Sequence, residues 1–181
     1  MLIEEAALSP LARWENFYVI VGSSAGALTG LQFVVIALLA ESRTPGGMRE
    51  IRAFGSPTIV HFCASLLISA LLSAPWHTLS SAGLALAICG AAGVLYALNV
   101  IRHARLQTGY KPDAEDLLWY IIAPIVLYSL WTISALLLAR QHTWALFAIA
   151  AIALLLLFLG IRNSWDTVTY IAVEHSRRNK E

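Results

Sequence analysis

The sequence predicts an all-α, polytopic integral membrane protein with five transmembrane helices, and three observations carry that prediction. The first is composition: 59% of residues are hydrophobic and 13% charged, with a mean hydropathy of +0.70. Soluble domains average about 25% charged residues. The second is the presence of five apolar segments, near 16–40, 55–74, 80–101, 117–139 and 143–162. Each is about as long as the 20 or so residues that cross a bilayer as a helix. The third is charge placement. With five spans, Arg43, Arg49, Arg52, Arg102, Arg105, Lys111, Arg162, Arg177, Arg178 and Lys180 share one side, and only Arg13 and Arg140 lie on the other. Ten against two is the bias that places the basic side in the cytoplasm.

The N-terminus is therefore expected outside and the C-terminus in the cytoplasm, in a cell membrane of the bacterial inner-membrane type. Residues 1–181 form a single membrane domain, with 163–181 as a cytoplasmic amphipathic tail. A net charge of +1 leaves no electrostatic footprint for nucleic acid. Cys63 and Cys89 lie far apart inside apolar runs, which excludes a disulfide framework or zinc-type spacing. The opening "MLIEEAALSPLAR" is acidic before it is apolar, the reverse of a signal peptide. The first segment is expected to stay in the mature chain.

Ser9-Pro10 is a good N-cap and N1 pair, so the first helix is expected to begin ahead of its apolar run. That run carries Gly22, Gly26 and Gly30 at four-residue spacing. Small residues at this spacing let helix backbones approach closely in lipid. The third segment echoes the pattern with Gly83, Ala87 and Ala91, and adds Gly90 and Gly93. Packing of the first span on the third, or on a neighbouring subunit, is the plain reading. A narrow or flexible pore wall is the sharper one.

The second segment places Thr58, His61, Ser65, Ser69 and Ser73 on one helical face. His61 is the one ionisable side chain well inside a span, and such residues are functional candidates by default. A neutral imidazole both donates and accepts, so the stripe suits either structural hydrogen bonding between helices or a path facing water or solute. In the fourth segment Tyr120, Pro124, Tyr128 and Thr132 form another stripe. Pro124 removes a backbone bond to the carbonyl of Tyr120, which predicts a kink there. Trp14, Trp76, Trp119, Trp144 and Trp165 fall near span ends, where amphipathic rings sit; Trp131 is deep in the fourth span.

Sliding the sequence by 67 residues lays "AGALTGLQFV" on "AGVLYALNVI" and pairs Gln32 with Asn99, Pro57 with Pro124, His61 with Tyr128 and Ser65 with Thr132. A shift of 65 aligns "ISALLSA" with "ISALLLA". Spans one and two then match spans three and four, with the fifth left over: a parallel 2+2+1 internal repeat about an axis along the membrane normal. Apolar segments share a small alphabet, so coincidence also produces such matches.

Asp113, Glu115 and Asp116 suit a helix N-terminus after the second basic loop. The tail sets Trp165, Val168, Ile171 and Ala172 on one side, as for a helix lying on an anionic surface or docking to a partner. Glu15, His77 and His142 are too scattered to make a metal site. No phosphate-binding glycine loop, metalloprotease or hydrolase motif is present, and no Asp or Glu lies mid-span. No catalytic residue, metal or cofactor is assigned. An intramembrane enzyme using His61 lacks a second catalytic group.

The expected function is a homo-oligomeric channel or facilitator for a small ion or solute. Gln32, Thr58, His61, Ser65, Ser69, Asn99, Tyr128 and Thr132 would line its polar path, with His61 as a pH gate. Gly22, Gly26, Gly30, Gly90 and Gly93 would pack its helices. The alternative is an accessory or regulatory subunit of a larger membrane complex, in which the same stripes are docking faces and glue. The bilayer, a second copy or a membrane protein partner are the contacts either function implies.

Overall fold

A computed structural model describes residues 10–41, 56–106 and 117–178, and among these no strand occurs. A short 3₁₀ turn at Ala12–Trp14 leads into α1 (Glu15–Glu41). There follow α2 (Ser56–Ser73), α3 (Leu79–Leu106), α4 (Ala123–Ala139) and α5 (Ala145–Arg178). Ser9, the basic loops at 42–55 and 107–116 with Asp113, Glu115 and Asp116, and Lys180 lie outside the described residues. Four stretches are long and apolar enough to cross a membrane: Ala12–Ala37, Leu79–Arg102, Leu118–Ala139 and Ala145–Thr169. α2 is a shorter apolar helix. Helices of that length and polarity mark a multi-pass membrane protein.

Tight turns at 74–78 and 140–144 join α2 to α3 and α4 to α5. At the second turn Gln141 takes a left-handed φ of 69°. Side-chain contacts fix the helix directions. Trp14 stacks edge-on with Phe147, and Ser164 Oγ donates to Gln32 Oε1 at 3.2 Å, so α1 and α5 run parallel. Ser65 Oγ donates to the Ala153 carbonyl at 2.9 Å while the Phe62 ring lies on Gly160, so α2 runs against α5. The bundle is thus up-down throughout.

Two hairpin-like pairs dominate, α1 with α2 and α3 with α4, and α5 leans on both α2 and α4. The glycines explain the second pair. A Cβ on Gly83 would run into the backbone of Ala139, and one on Gly93 into the ring of Tyr128. At Gly90 it would sit 2.7 Å from Thr132 Oγ1. Those positions admit no side chain because the two backbones are in close contact, the arrangement that dispersion favours when lipid supplies no hydrophobic drive. α1 behaves differently. Its Gly22 meets Ser69 of α2, not α3, while Gly26 and Gly30 have no atom within 4 Å of a would-be Cβ.

Where a kink is expected at Pro124, a π-helical turn spans Leu118–Ile122, immediately ahead of α4. The Ala123 N–H bonds back to the Leu118 carbonyl, one residue further than in an α-helix. Proline has no N–H to offer the Tyr120 carbonyl, and a wider turn accommodates the missing bond. The tail also departs from expectation. No bend separates it from the fifth span, because α5 continues unbroken to Arg178. At 1.5 Å per residue its 34 residues extend about 51 Å, well beyond a hydrocarbon core of about 30 Å.

Most of the core is one cluster built on Tyr18, Leu86, Trp131, Ile149 and Leu156. A second, smaller cluster of Ala25, Phe62 and Leu157, with Leu28 against it, fills the junction of α1, α2 and α5. Ile20, Phe33, Ile88, Leu95, Phe147 and Phe158 face outward, as lipid-facing side chains do.

Candidate functional site

The polar face of α2 points into the bundle. Thr58, His61, Ser65 and Ser69 are 0%, 2%, 0% and 1% exposed. Alternation of three and four residues keeps them on one side of the helix, and that side is covered by α4 at His61, α5 at Ser65 and α1 at Ser69. Ser65 is bonded to α5 through Ala153, and Ser69 Oγ donates to the Ser65 carbonyl of its own helix at 2.9 Å. Ser73, one turn on, is exposed.

His61 reaches across to α4, where its Nδ1 and the hydroxyl of Tyr128 are hydrogen-bonded at 3.0 Å. The rings lie tilted at 38° with centroids 5.9 Å apart, and the Trp131 ring, one turn along α4, has its centroid 6.2 Å from that of Tyr128. The Nε2 of His61 is buried and unpaired, as is the Nε1 of Trp131. Tyr128 is buried by its close seat on Gly93, which fixes where the hydroxyl points.

A second polar group gathers where α1, α2 and α5 meet below the small apolar cluster. Gln32 is buried and accepts from Ser164. Thr58 and Asn163 are fully buried, on antiparallel helices whose register sets them at neighbouring levels. Neither side-chain atom of Asn163 has a partner. Asn163 was not among the candidates, since the fifth span was expected to end at 162. Its place one turn beyond Leu159, in step with Leu156 and Leu159 on the buried face, is the signal that points to it.

The remaining candidates separate. Thr132 is half-buried and donates to the Tyr128 carbonyl of its own helix at 2.9 Å. Asn99, which the sequence pairs with Gln32, is exposed on α3, so the two amides have unlike surroundings. Chemically the arrangement is a set of neutral donors and acceptors joining helices. Among the described residues no three His, Cys, Asp or Glu side chains gather as a metal site. Comparison of the chain with protein-family models, with curated proteins and with solved structures yields no match.

Proposed function

We propose that this protein is an accessory or regulatory subunit of a larger membrane protein complex, docked through the face of α1 that carries Gly26 and Gly30. One contrast supports the reading. The glycines of α3 are all taken up by α4, whereas Gly26 and Gly30 have open space where a side chain would be. Small residues in that state suit the close approach of another helix. The polar stripe of α2 fits the same reading as internal glue, because its groups are turned inward to α1, α4 and α5.

The protein then sits in a bacterial-type inner membrane with five spans, α2 being the fifth, its N-terminus outside and its C-terminus cytoplasmic. The ten-to-two distribution of basic residues supports that orientation. A parallel 2+2+1 repeat is part of the proposal. His61 and Tyr128, equivalent under the repeat, touch each other, as residues beside a twofold axis must. α1–α2 and α3–α4 are the paired units, and α5 is the extra helix between them.

Affinity purification from native membranes tests the function. A stoichiometric partner lost on Gly26→Leu and Gly30→Leu is the expected result. Recovery as a homo-oligomer free of other proteins counts against it. The channel remains a second reading, supported by the unpaired His61 Nε2 and Asn163 amide inside the bundle. Such a path runs within one protomer. Flux through liposomes that stays at background for both wild type and His61→Ala would remove it.

A further inference from the structure

Trp131 Nε1, His61 Nε2 and both amide atoms of Asn163 are buried without a hydrogen-bond partner. The three side chains come from α4, α2 and α5 and are 1%, 2% and 0% exposed. Helix geometry turns them to one place. On α4, Tyr128 faces His61 of α2, while Leu127 lines an outer groove shared with α5. Trp131, three and four residues on, lies on the face between those two. On α5, Gly160 faces Phe62 of α2, while Leu159 lines the same groove against α4. Asn163, again three and four residues on, lies between them. Helical side chains lean toward the N-terminus of their own helix. Because α2 and α5 are antiparallel, the His61 ring and the Asn163 amide lean toward each other. The Trp131 ring leans back toward Tyr128, the partner of His61.

We propose that this crease between α2, α4 and α5 binds a small uncharged molecule of the primary-amide class. Charge is the first constraint. Among the described residues no Asp, Glu, Lys or Arg is buried, so an ion there has no opposite charge to offset its desolvation. Hydrogen bonding is the second. The Trp131 N–H only donates, Asn163 offers a donor and an acceptor side by side, and His61 Nε2 does one or the other as Tyr128 sets its tautomer. A primary amide presents the matching edge. Its N–H and carbonyl pair with Asn163, and the second lone pair of that carbonyl accepts from Trp131. A ketone fills only part of the set. Size is the third: the close seats of Phe62 on Gly160 and Tyr128 on Gly93 limit the ligand to a few heavy atoms. The polar atoms are closed off from the surroundings, so entry requires the helices to part. Left unpaired, they destabilise the protein alone, and a ligand that pairs them recovers that loss on binding. The proposal rests on the interior groups of the channel reading but not on flux.

Saturation-transfer NMR on the detergent-purified full chain tests it with acetamide, acetone and acetate, three methyl probes of one shape. With the signal of protein-free micelles subtracted, acetamide is expected to bind saturably. Acetone, which lacks the N–H, is expected to bind about three- to tenfold more weakly, the worth of one hydrogen bond, and acetate more weakly still. Asn163→Leu and Trp131→Phe each lower acetamide binding by a similar factor, and Asn163→Leu also removes the preference over acetone. Absence of saturable acetamide binding, acetone or acetate binding as well as acetamide, or acetamide binding unchanged in either variant each overturns the proposal. Acetamide binding without flux of any solute removes the channel and leaves the site, and ion flux without acetamide binding does the reverse.

Discussion

His61 on α2 and Tyr128 on α4 share a hydrogen bond of 3.0 Å, and 67 residues separate them, the same interval at which the sequence matches itself. With both rings fully buried, the bond holds together two helices that otherwise touch little. Interhelical hydrogen bonds in membranes average about 0.6 kcal/mol and reach about 1.7. Tyr128→Phe leaves both His61 nitrogens unpaired and is expected to fall at the upper end. His61→Phe with Tyr128→Phe should cost less than the sum of the single changes, because the double variant buries no unpaired ring nitrogen or phenol. Unfolding in mixed micelles measures the coupling, and strict additivity refutes it.

The glycines of α1 and α3 have unlike surroundings. Gly83→Ala drives a methyl into the backbone of α4 at Ala139 and Ala135, where no side chain can rotate away. A loss of about 1–3 kcal/mol is expected, as for overpacking. Gly26→Ala meets open space, and the helix propensity of alanine favours it by up to about 1 kcal/mol. Unfolding of the isolated protein should thus rank Gly26→Ala at or above wild type and Gly83→Ala below it. Recovery of the partner from membranes should rank Gly26→Ala lower than wild type.

Helix positions were legible because they depend on local composition: each predicted apolar segment overlaps one of the helices α1 to α5, four of which are part of stretches long and apolar enough to cross a membrane. The face of α2 that turns inward was legible too, since Thr58, His61, Ser65 and Ser69 follow helical spacing. Which helix covers that face was not. The small-residue stripe of the first span was expected against the third span or a neighbouring subunit; such a stripe carries no information about which helix it meets, and Gly22 lies against Ser69 of α2. Gln32 and Asn99 align in sequence yet differ in burial, because α5 covers α1 at that level and leaves Asn99 exposed. Asn163 escaped notice since hydropathy falls off at Arg162, even though the helix and its buried face continue past it. An amphipathic period persists through such a boundary, whereas average hydropathy does not.

Asn163 itself invites a direct experiment. Both amide atoms are buried without a partner, a condition that costs about 1–3 kcal/mol. Asn163→Leu keeps a γ-branched side chain and removes the unpaired groups. The variant is expected to unfold at higher denaturant than wild type, and Ser65→Ala, which deletes the bond from α2 to the Ala153 carbonyl, at lower. If Asn163→Leu destabilises instead, the amide has a favourable partner in the membrane, and the interior-path reading gains the group it needs.

Cysteine labelling decides the number of spans. In a chain with Cys63 and Cys89 replaced by alanine, single cysteines at Arg13, His77, Arg102 and Thr143 occupy exposed positions at the helix ends. Five alternating spans put Arg13, His77 and Thr143 outside and Arg102 inside. An impermeant maleimide applied to intact cells should then label Arg13→Cys, His77→Cys and Thr143→Cys, and reach Arg102→Cys only after permeabilisation. Were α2 to turn back without crossing, Arg102→Cys would join Arg13→Cys outside, and His77→Cys and Thr143→Cys would be protected. The two patterns differ at three of four positions, so partial labelling at one site does not blur the outcome. Only the first pattern also sets α1 parallel to α3 and α2 parallel to α4 across the bilayer, as a repeat running along the membrane normal requires.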